Sequence, residues 1–133
     1  MTRAPVLLVD DDEFARAFAR AVIERAGFEV IEAGDVAEGL AAGSRNLSAV
    51  VTDWNLPDGH GGDLARSLHE RSKELPVILV TGEADLAEEM PDGVKQEFAS
   101  ILRKPYPPSA LEKAIRSALL NAETFVFPRG VVE

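Results

Sequence analysis

The feature that most constrains the fold of this chain is a series of short apolar runs separated by longer amphipathic segments. Three runs, at residues 6–9, 49–52 and 76–80, are almost continuously apolar, as in strands that are covered on both faces. Weaker runs at residues 28–32 and 99–102 predict two further strands. Strands that alternate with helices in this way predict an α/β fold, in which a parallel sheet lies between two layers of helices.

The segments between the runs predict helices from their apolar spacing and their end signals. We expect Asp12 to cap the first helix and Gly27 to end it. A helix over residues 84–90 is predicted to end early at the following Pro-Asp-Gly sequence, and Ser109 with Glu112 is predicted to cap the last helix. In the first helix, apolar residues recur at every fourth position and are expected to face the core: Phe14, Phe18, Val22 and Ala26.

Composition excludes several classes of function. The net charge is -9, with 23 acidic and 14 basic residues, so we expect no nucleic-acid partner. The absence of cysteine excludes disulfides and thiolate-bound metals. The N-terminal apolar run is too short for a signal peptide or a membrane span. We therefore expect a cytoplasmic protein without membrane contact, present as a monomer or weak homodimer.

Polar residues follow the predicted strands at the points where the strands end. Asp10 and Asp11 follow the first strand, Asp53 the third, Thr81 the fourth and Lys104 the fifth. Ligands of parallel sheets bind beyond the carboxyl ends of the strands, so we expect these side chains to converge. Clustered carboxylates repel one another unless a cation bridges them, which predicts a hard divalent ion such as Mg²⁺. A carboxylate beside such an ion and a lysine is suited to phosphoryl transfer.

Four motifs, in this order, are similar to those of the response regulator receiver domains of two-component signalling. They are Val9-Asp10-Asp11-Asp12, Asp53-Trp54-Asn55-Leu56-Pro57 with Gly61, Val80-Thr81-Gly82-Glu83 and Lys104-Pro105-Tyr106. The resemblance implies a flavodoxin-like, doubly wound sheet of five parallel strands in the order 2-1-3-4-5, with helices on both faces. It covers residues 5–121, and we assign residues 1–121 to the receiver domain and 122–133 to a C-terminal tail.

The resemblance also implies a phosphoprotein of the phosphorelay type. Its partners would be a histidine kinase or histidine phosphotransfer protein, which donates the phosphoryl group, and a downstream protein target. It would catalyse its own phosphorylation and dephosphorylation but turn over no external substrate. In the tail, we expect Phe125 and Phe127 to dock back onto the domain.

Roles for single residues follow from the same resemblance. Asp53 is implied as the phosphoacceptor, with Thr81 and Lys104 binding its phosphoryl group. The implied magnesium ligands are the carboxylates of Asp10, Asp11 and Asp53 and the backbone carbonyl of Asn55. Asn55 and Glu83 are implied to tune the lifetime of the phosphoaspartate, and this pair resembles that of single-domain chemotaxis regulators. The peptide bond that follows Lys104 is expected to be cis.

Two positions depart from the family pattern. Ile101 occupies the switch position three residues before the lysine, where the family usually has Tyr or Phe. The fourth helix is also expected to be cut short by Pro91-Asp92-Gly93, in a Pro91–Val94 segment that resembles that of receivers attached to hybrid histidine kinases. These departures leave open a receiver-like interaction module that signals without phosphorylation. A third hypothesis, a phosphohydrolase, is disfavoured because Asn55 stands where such enzymes carry a second carboxylate. His60 and His69 are interpreted as solvent-exposed residues without a role.

Overall fold

The computed structural model describes residues 3–82 and 90–131, and of residues 121–131 it describes the backbone alone. The described strands are β1 (Val6–Val9), β2 (Val30–Ala33), β3 (Ala49–Asp53), β4 (Asn55–Leu56), β5 (Gly59–His60), β6 (Val77–Thr81) and β7 (Ser100–Arg103). The described helices are α1 (Glu13–Arg25), α2 (Val36–Ala42), α3 (Gly61–Arg71), α4 (Asp92–Lys95) and α5 (Pro108–Val131).

Five of these strands form one parallel sheet in the order β2-β1-β3-β6-β7. This is the predicted order, since β4 and β5 form a separate antiparallel hairpin between β3 and α3. The predicted flavodoxin-like fold is therefore confirmed. β2 pairs with one edge of β1, and β3 pairs with the other edge. The direction in which strands are added to the sheet therefore reverses between β1 and β3. In such sheets a ligand site lies beyond the carboxyl ends of these two strands.

The core consists of two apolar layers, one on each face of the sheet. Leu8 and Val51 pack with α1 and α5 on one face, whereas Leu7 and Val50 pack with α2 and α3 on the other. Every residue of β1 is fully buried. Burial on both faces explains why the strand sequences are continuously apolar and do not alternate. The covered sheet therefore forms a rigid base for the residues at its carboxyl edge.

The predicted inward face of α1 is wrong in its first half. Phe14 and Phe18 are 88% and 42% exposed, whereas Ala19, Val22 and Ala26 are buried. A turn of helix takes about 3.6 residues, so a row of every fourth residue moves around the axis by about 40° at each step. The row therefore leaves the buried face, and only its C-terminal members reach the core. The two exposed phenylalanines are left at the end of α1 that lies nearest the carboxyl edge of the sheet.

Both ends of α1 follow their predicted signals. Asp12 caps α1, because its side chain accepts hydrogen bonds from two backbone N–H groups of the first turn at 2.9 and 3.3 Å. Gly27 follows α1 with a φ of 99°, a conformation that glycine adopts without strain. The predicted Ser109 cap is wrong, since α5 already begins at Pro108. Proline suits a first helical position because its missing N–H has no partner there.

Two predicted segments lie wholly or partly outside the part of the chain that the structure describes. The helix predicted over residues 84–90 lies outside the described residues except at its last position, and α4 begins at Asp92, within the sequence that was expected to end it. The backbone of α5 continues to Val131, through most of the predicted tail. The docking of Phe125 and Phe127 stays a prediction, because the side chains of these two residues are not among those that the structure describes. None of the described helices is both long enough and apolar enough to cross a bilayer.

Gly61 allows α3 to begin directly against the end of β3. A Cβ atom at this position would lie 2.4 Å from the Asp53 carbonyl oxygen. We expect Gly61→Ala to lower the free energy of unfolding by about 1–3 kcal/mol, as overpacking does. Gly93→Ala is the control, because a Cβ there meets no atom within 4 Å. Urea denaturation measures both variants, and equal destabilisation in the two would contradict the close approach.

Candidate functional site

The carboxyl ends of β1 and β3 bring three carboxylates together. Asp10 and Asp11 follow β1, and Asp53 is the last residue of β3. Each offers a carboxylate oxygen, and these oxygens all lie within 4.8 Å of one another. Asp10 is buried, Asp53 is partly buried and Asp11 is exposed, so the cluster opens to solvent on one side. The predicted convergence of these three residues is confirmed.

The ammonium group of Lys104 lies between two of these carboxylates. Its Nζ donates to Oδ2 of Asp10 at 2.9 Å and to Oδ2 of Asp53 at 3.3 Å. The backbone N–H of Lys104 donates to the carbonyl of Thr81 at 2.7 Å, which anchors the residue to the end of β6. The peptide bond between Lys104 and Pro105 is cis, as expected. One lysine therefore joins the ends of β1, β3 and β6.

The charges of the site act on one another. Burial raises the pKa of the Asp53 carboxyl, the charge of Lys104 lowers it and the charge of Asp10 raises it, so that the pKa lies above its ordinary value. Burial lowers the pKa of Lys104, but hydrogen bonds and charge from Asp10 and Asp53 outweigh burial and raise it. The cluster thus holds three carboxylates, and the ammonium group of Lys104 pairs with two of them. A divalent cation with oxygen ligands would balance the remaining negative charge.

The other predicted site residues lie near this edge or outside the description. Thr81 ends β6, the strand next to β3, and is buried. Asn55 begins β4, two residues after Asp53, and is exposed. Ile101 lies partly buried on β7, the last strand of the sheet. Glu83 lies outside the described residues. The structure therefore brings Thr81 and Asn55 to the site through strand order and chain proximity.

Known proteins with similar sequences identify the family. Residues 6–116 match the family model of the response regulator receiver domain. The chain belongs to this family. The C4-dicarboxylate transport transcriptional regulatory protein DctD of Pseudomonas aeruginosa is 38% identical over 117 residues, which are 86% of this chain and 25% of that protein. The chain thus spans about a quarter of the length of this relative.

Shorter relatives match this receiver over nearly their whole length. Chemotaxis protein CheY1 of Helicobacter pylori is 30% identical over 119 residues, which are 86% of this chain and 95% of that protein. The crystal structure of a response regulator receiver domain protein from Clostridium thermocellum has a TM-score of 0.82 and 28% identity. That likeness covers 92% of this chain and 99% of the other. Sequence and fold therefore agree on a receiver of the two-component type.

Trp54 directly follows Asp53 in the chain and is hydrogen-bonded to it. Its backbone N–H donates to Oδ1 of Asp53 at 2.7 Å. Its indole ring packs edge-on against His60 and Phe98, with ring centroids 5.1 and 6.5 Å apart. It is the single tryptophan of the chain. The fluorescence of Trp54 therefore reports on changes directly beside Asp53.

The interpretation of His69 as an exposed residue is wrong. Only 18% of its side chain is exposed. Its Nδ1 lies 2.6 Å from Oε1 of Glu97, and its Nε2 lies 2.8 Å from the carbonyl oxygen of Leu75. The ring therefore ties the end of α3 to the segment between α4 and β7. Sequence reasoning missed this contact because Glu97 lies 28 residues further along the chain.

An apolar groove opens beside the lysine of the site. It has a volume of about 530 Å³. The rings of Phe18 and Tyr106 pack against each other in it, with centroids 5.5 Å apart. Burial, with a smaller effect of Asp10, raises the pKa of Tyr106 to about 12, so the phenol stays neutral. The lining residues of this groove are Phe14, Ala15, Phe18, Lys104, Pro105 and Tyr106.

The raised pKa of Asp53 predicts how stability depends on pH in metal-free buffer. The unfolded chain loses this proton near its ordinary pKa of about 3.9, before the folded chain does. Wild-type stability therefore falls as pH rises through the interval between the two values. We expect Asp53→Asn to raise the free energy of unfolding at pH 7 and to lose this advantage below that interval.

Asp58→Asn is the control of opposite sign. Hydrogen bonds from the backbone N–H groups of Val36 and Ala37 lower the pKa of Asp58. The contribution of Asp58 is thus present above its unfolded pKa and lost as pH falls through the folded value. Denaturant titrations at several pH values measure both variants. A destabilised Asp53→Asn protein at pH 7 would contradict the account of the site.

Proposed function

We propose that this receiver accepts a phosphoryl group on Asp53 from a histidine kinase or a histidine phosphotransfer protein. Phosphorylation depends on Mg²⁺ and switches binding to a downstream protein. The observation that carries this proposal is the cluster of three carboxylates with one lysine, whose Nζ lies 2.9 Å from Asp10 and 3.3 Å from Asp53. Membership of the receiver family supports it independently. We assign this action to the cytoplasm and propose no turnover of an external substrate.

The chain's own donors fit Mg²⁺. This ion prefers oxygen ligands and keeps several waters, and the cluster offers carboxylate oxygens on a side that is open to solvent. Asp10, Asp11 and Asp53 would hold the ion, with the backbone carbonyl of Asn55 as a further ligand. When bound, Mg²⁺ neutralises charge on the oxygens of the phosphoryl group.

Asp53 is the nucleophile of the proposed reaction. A carboxylate oxygen attacks the phosphorus atom, the bond to the donor's imidazole nitrogen breaks, and the electron pair stays on that nitrogen. The backbone N–H of Trp54 holds Oδ1 of Asp53 at 2.7 Å and so fixes the direction of the carboxylate. The ammonium group of Lys104 already pairs with Asp53, so it needs little movement to pair with the oxygens of the incoming group.

Phosphorylation then changes the charge at the end of β3. A phosphoryl group carries a charge of roughly -1.5 to -2 at neutral pH. We propose that Lys104 pairs with it and that the Thr81 hydroxyl binds one of its oxygens. The backbone N–H of Lys104 donates a hydrogen bond to the Thr81 carbonyl, so a movement of β6 is coupled to a movement of β7. These coupled movements shift an existing conformational equilibrium of the receiver. Asn55 and Glu83 would set the lifetime of the phosphoaspartate.

The apolar groove beside Lys104 is the surface that we assign to the phosphodonor. A donor that presents a phosphohistidine to Asp53 must cover the rim of the site. Phe14 is 88% exposed on that rim, and its burial by a partner would contribute about 25 cal/mol for each Å² of apolar surface removed from water. The exposed start of α1 therefore suits contact with a protein partner.

A second candidate function is a receiver-like interaction module that signals without phosphorylation. The observation that favours it is Ile101, which lies partly buried on β7 at the position where the family usually has an aromatic switch. Under this function, partner binding would be the same for the wild type and for a variant that cannot be phosphorylated. Binding of the downstream protein by the wild type with acetyl phosphate, compared with binding by Asp53→Asn, separates the two functions.

The direct test of the proposal is incubation with acetyl phosphate and Mg²⁺. We expect the wild type to gain the mass of one phosphoryl group and to change its Trp54 fluorescence, and Asp53→Asn to do neither. Lys104→Met should slow phosphorylation by about 100-fold, as removal of one stabilising charge does. Lys113→Met is the matched control, because Lys113 is exposed on α5. Equal phosphorylation of Asp53→Asn and wild type would refute the assignment.

A further inference from the structure

The side chain of Arg16 links α1 to the loop that carries the first two aspartates. Its Nη1 donates to the carbonyl oxygen of Asp10 at 2.6 Å, and its Nε donates to Oε1 of Glu32 at 2.7 Å. Glu32 belongs to β2, where it lies in register with Leu8 of β1. The Arg16 side chain is only 21% exposed. One planar group therefore joins α1, the end of β1 and the neighbouring strand.

The bond to the Asp10 carbonyl acts on the carboxylate cluster through the backbone. This carbonyl belongs to the peptide unit that joins Asp10 to Asp11, so its direction sets where the chain turns towards Asp11. The side chain of Asp10 is also held: Oδ1 accepts from the backbone N–H of Asp12 at 2.9 Å, and Oδ2 accepts from Lys104 at 2.9 Å. Arg16 adds the bond that fixes the peptide plane itself.

The two bonds of Arg16 require a guanidinium group. A planar fork donates in two fixed directions at once, whereas an ammonium group is a compact charge on a flexible stem. Arg20, one turn further along α1, also pairs with Glu32 and with Glu24. Glu32 thus pairs with both arginines, but of these two only Arg16 also donates to the Asp10 carbonyl.

We propose that Arg16 is a positioning residue of the metal site, which holds the turn from Asp10 to Asp11 in the geometry that a divalent cation needs. This inference rests on the proposed function, in which both aspartates hold Mg²⁺. A role through charge alone has the opposite sign. A positive side chain near the cluster repels a cation, so its removal would tighten Mg²⁺ binding if charge were its only effect.

The test is a titration of the full chain with Mg²⁺, followed by Trp54 fluorescence and by calorimetry. We expect Arg16→Gln and Arg16→Lys to raise the Kd for Mg²⁺ by about 10-fold, as loss of an outer partner of a metal site does. Arg20→Gln is the control, because its hydrogen bonds run to Glu24 and Glu32. It should change the Kd by less than about threefold. In EDTA, the midpoint temperature of unfolding should shift by a similar amount from the wild-type value in the Arg16 and Arg20 variants.

Each outcome of the titration decides the inference. A Kd in Arg16→Gln that equals the wild-type value, or lies below it, overturns the positioning role. If Arg16→Gln does not unfold cooperatively, Arg16→Lys decides by the same criterion. A wild-type chain that binds no Mg²⁺ overturns both this inference and the proposed function. If the wild type binds Mg²⁺ and the Arg16 variants bind it with the same Kd, this inference alone is overturned.

Discussion

The arrangement of the functional site depends on the ion pair that joins Lys104 to the carboxylates of Asp10 and Asp53. These residues come from the ends of three different strands, and their side chains meet within 2.9 and 3.3 Å. Like charges of Asp10 and Asp53 would otherwise repel each other at a partly buried edge of the sheet. The lysine offsets this repulsion only in part, because a third carboxylate, that of Asp11, belongs to the same cluster. The remaining negative charge makes the site suited to a divalent cation, which together with Lys104 would offset the negative charge of a phosphoryl group.

The fold provides this arrangement through a rigid sheet and close packing beneath the site. The central strands are buried on both faces, so their carboxyl ends are held in a fixed register. Gly61 lets α3 approach the Asp53 carbonyl, and the side chain of Asp12 caps α1 immediately after the first two aspartates. The site is therefore built from backbone positions that core packing determines, and its chemistry comes from the few side chains that project beyond the core.

Short-range patterns in the sequence predicted the buried strands and the convergence of polar residues at their ends, whereas the strand order followed from the resemblance to receiver domains. Continuous apolar runs identified the buried strands, and polar residues directly after them identified the edge. Contacts between residues far apart in the chain were not predictable in this way. The pairing of His69 with Glu97 and the bond from Arg16 to Glu32 join different elements. The exposure of Phe14 was also not predicted, because a spacing of four residues is slightly longer than the helical repeat of about 3.6 residues.

The most direct test of the central claim is a crystal structure of the receiver with Mg²⁺ and beryllium trifluoride, a mimic of a phosphoryl group on a carboxylate. The account predicts the mimic on Asp53, the ion among the carboxylates of Asp10, Asp11 and Asp53, and Lys104 turned from Asp10 to a fluorine atom. A mimic on another residue would contradict the account. An unliganded Asp53 beside an unmoved Lys104 would contradict it equally.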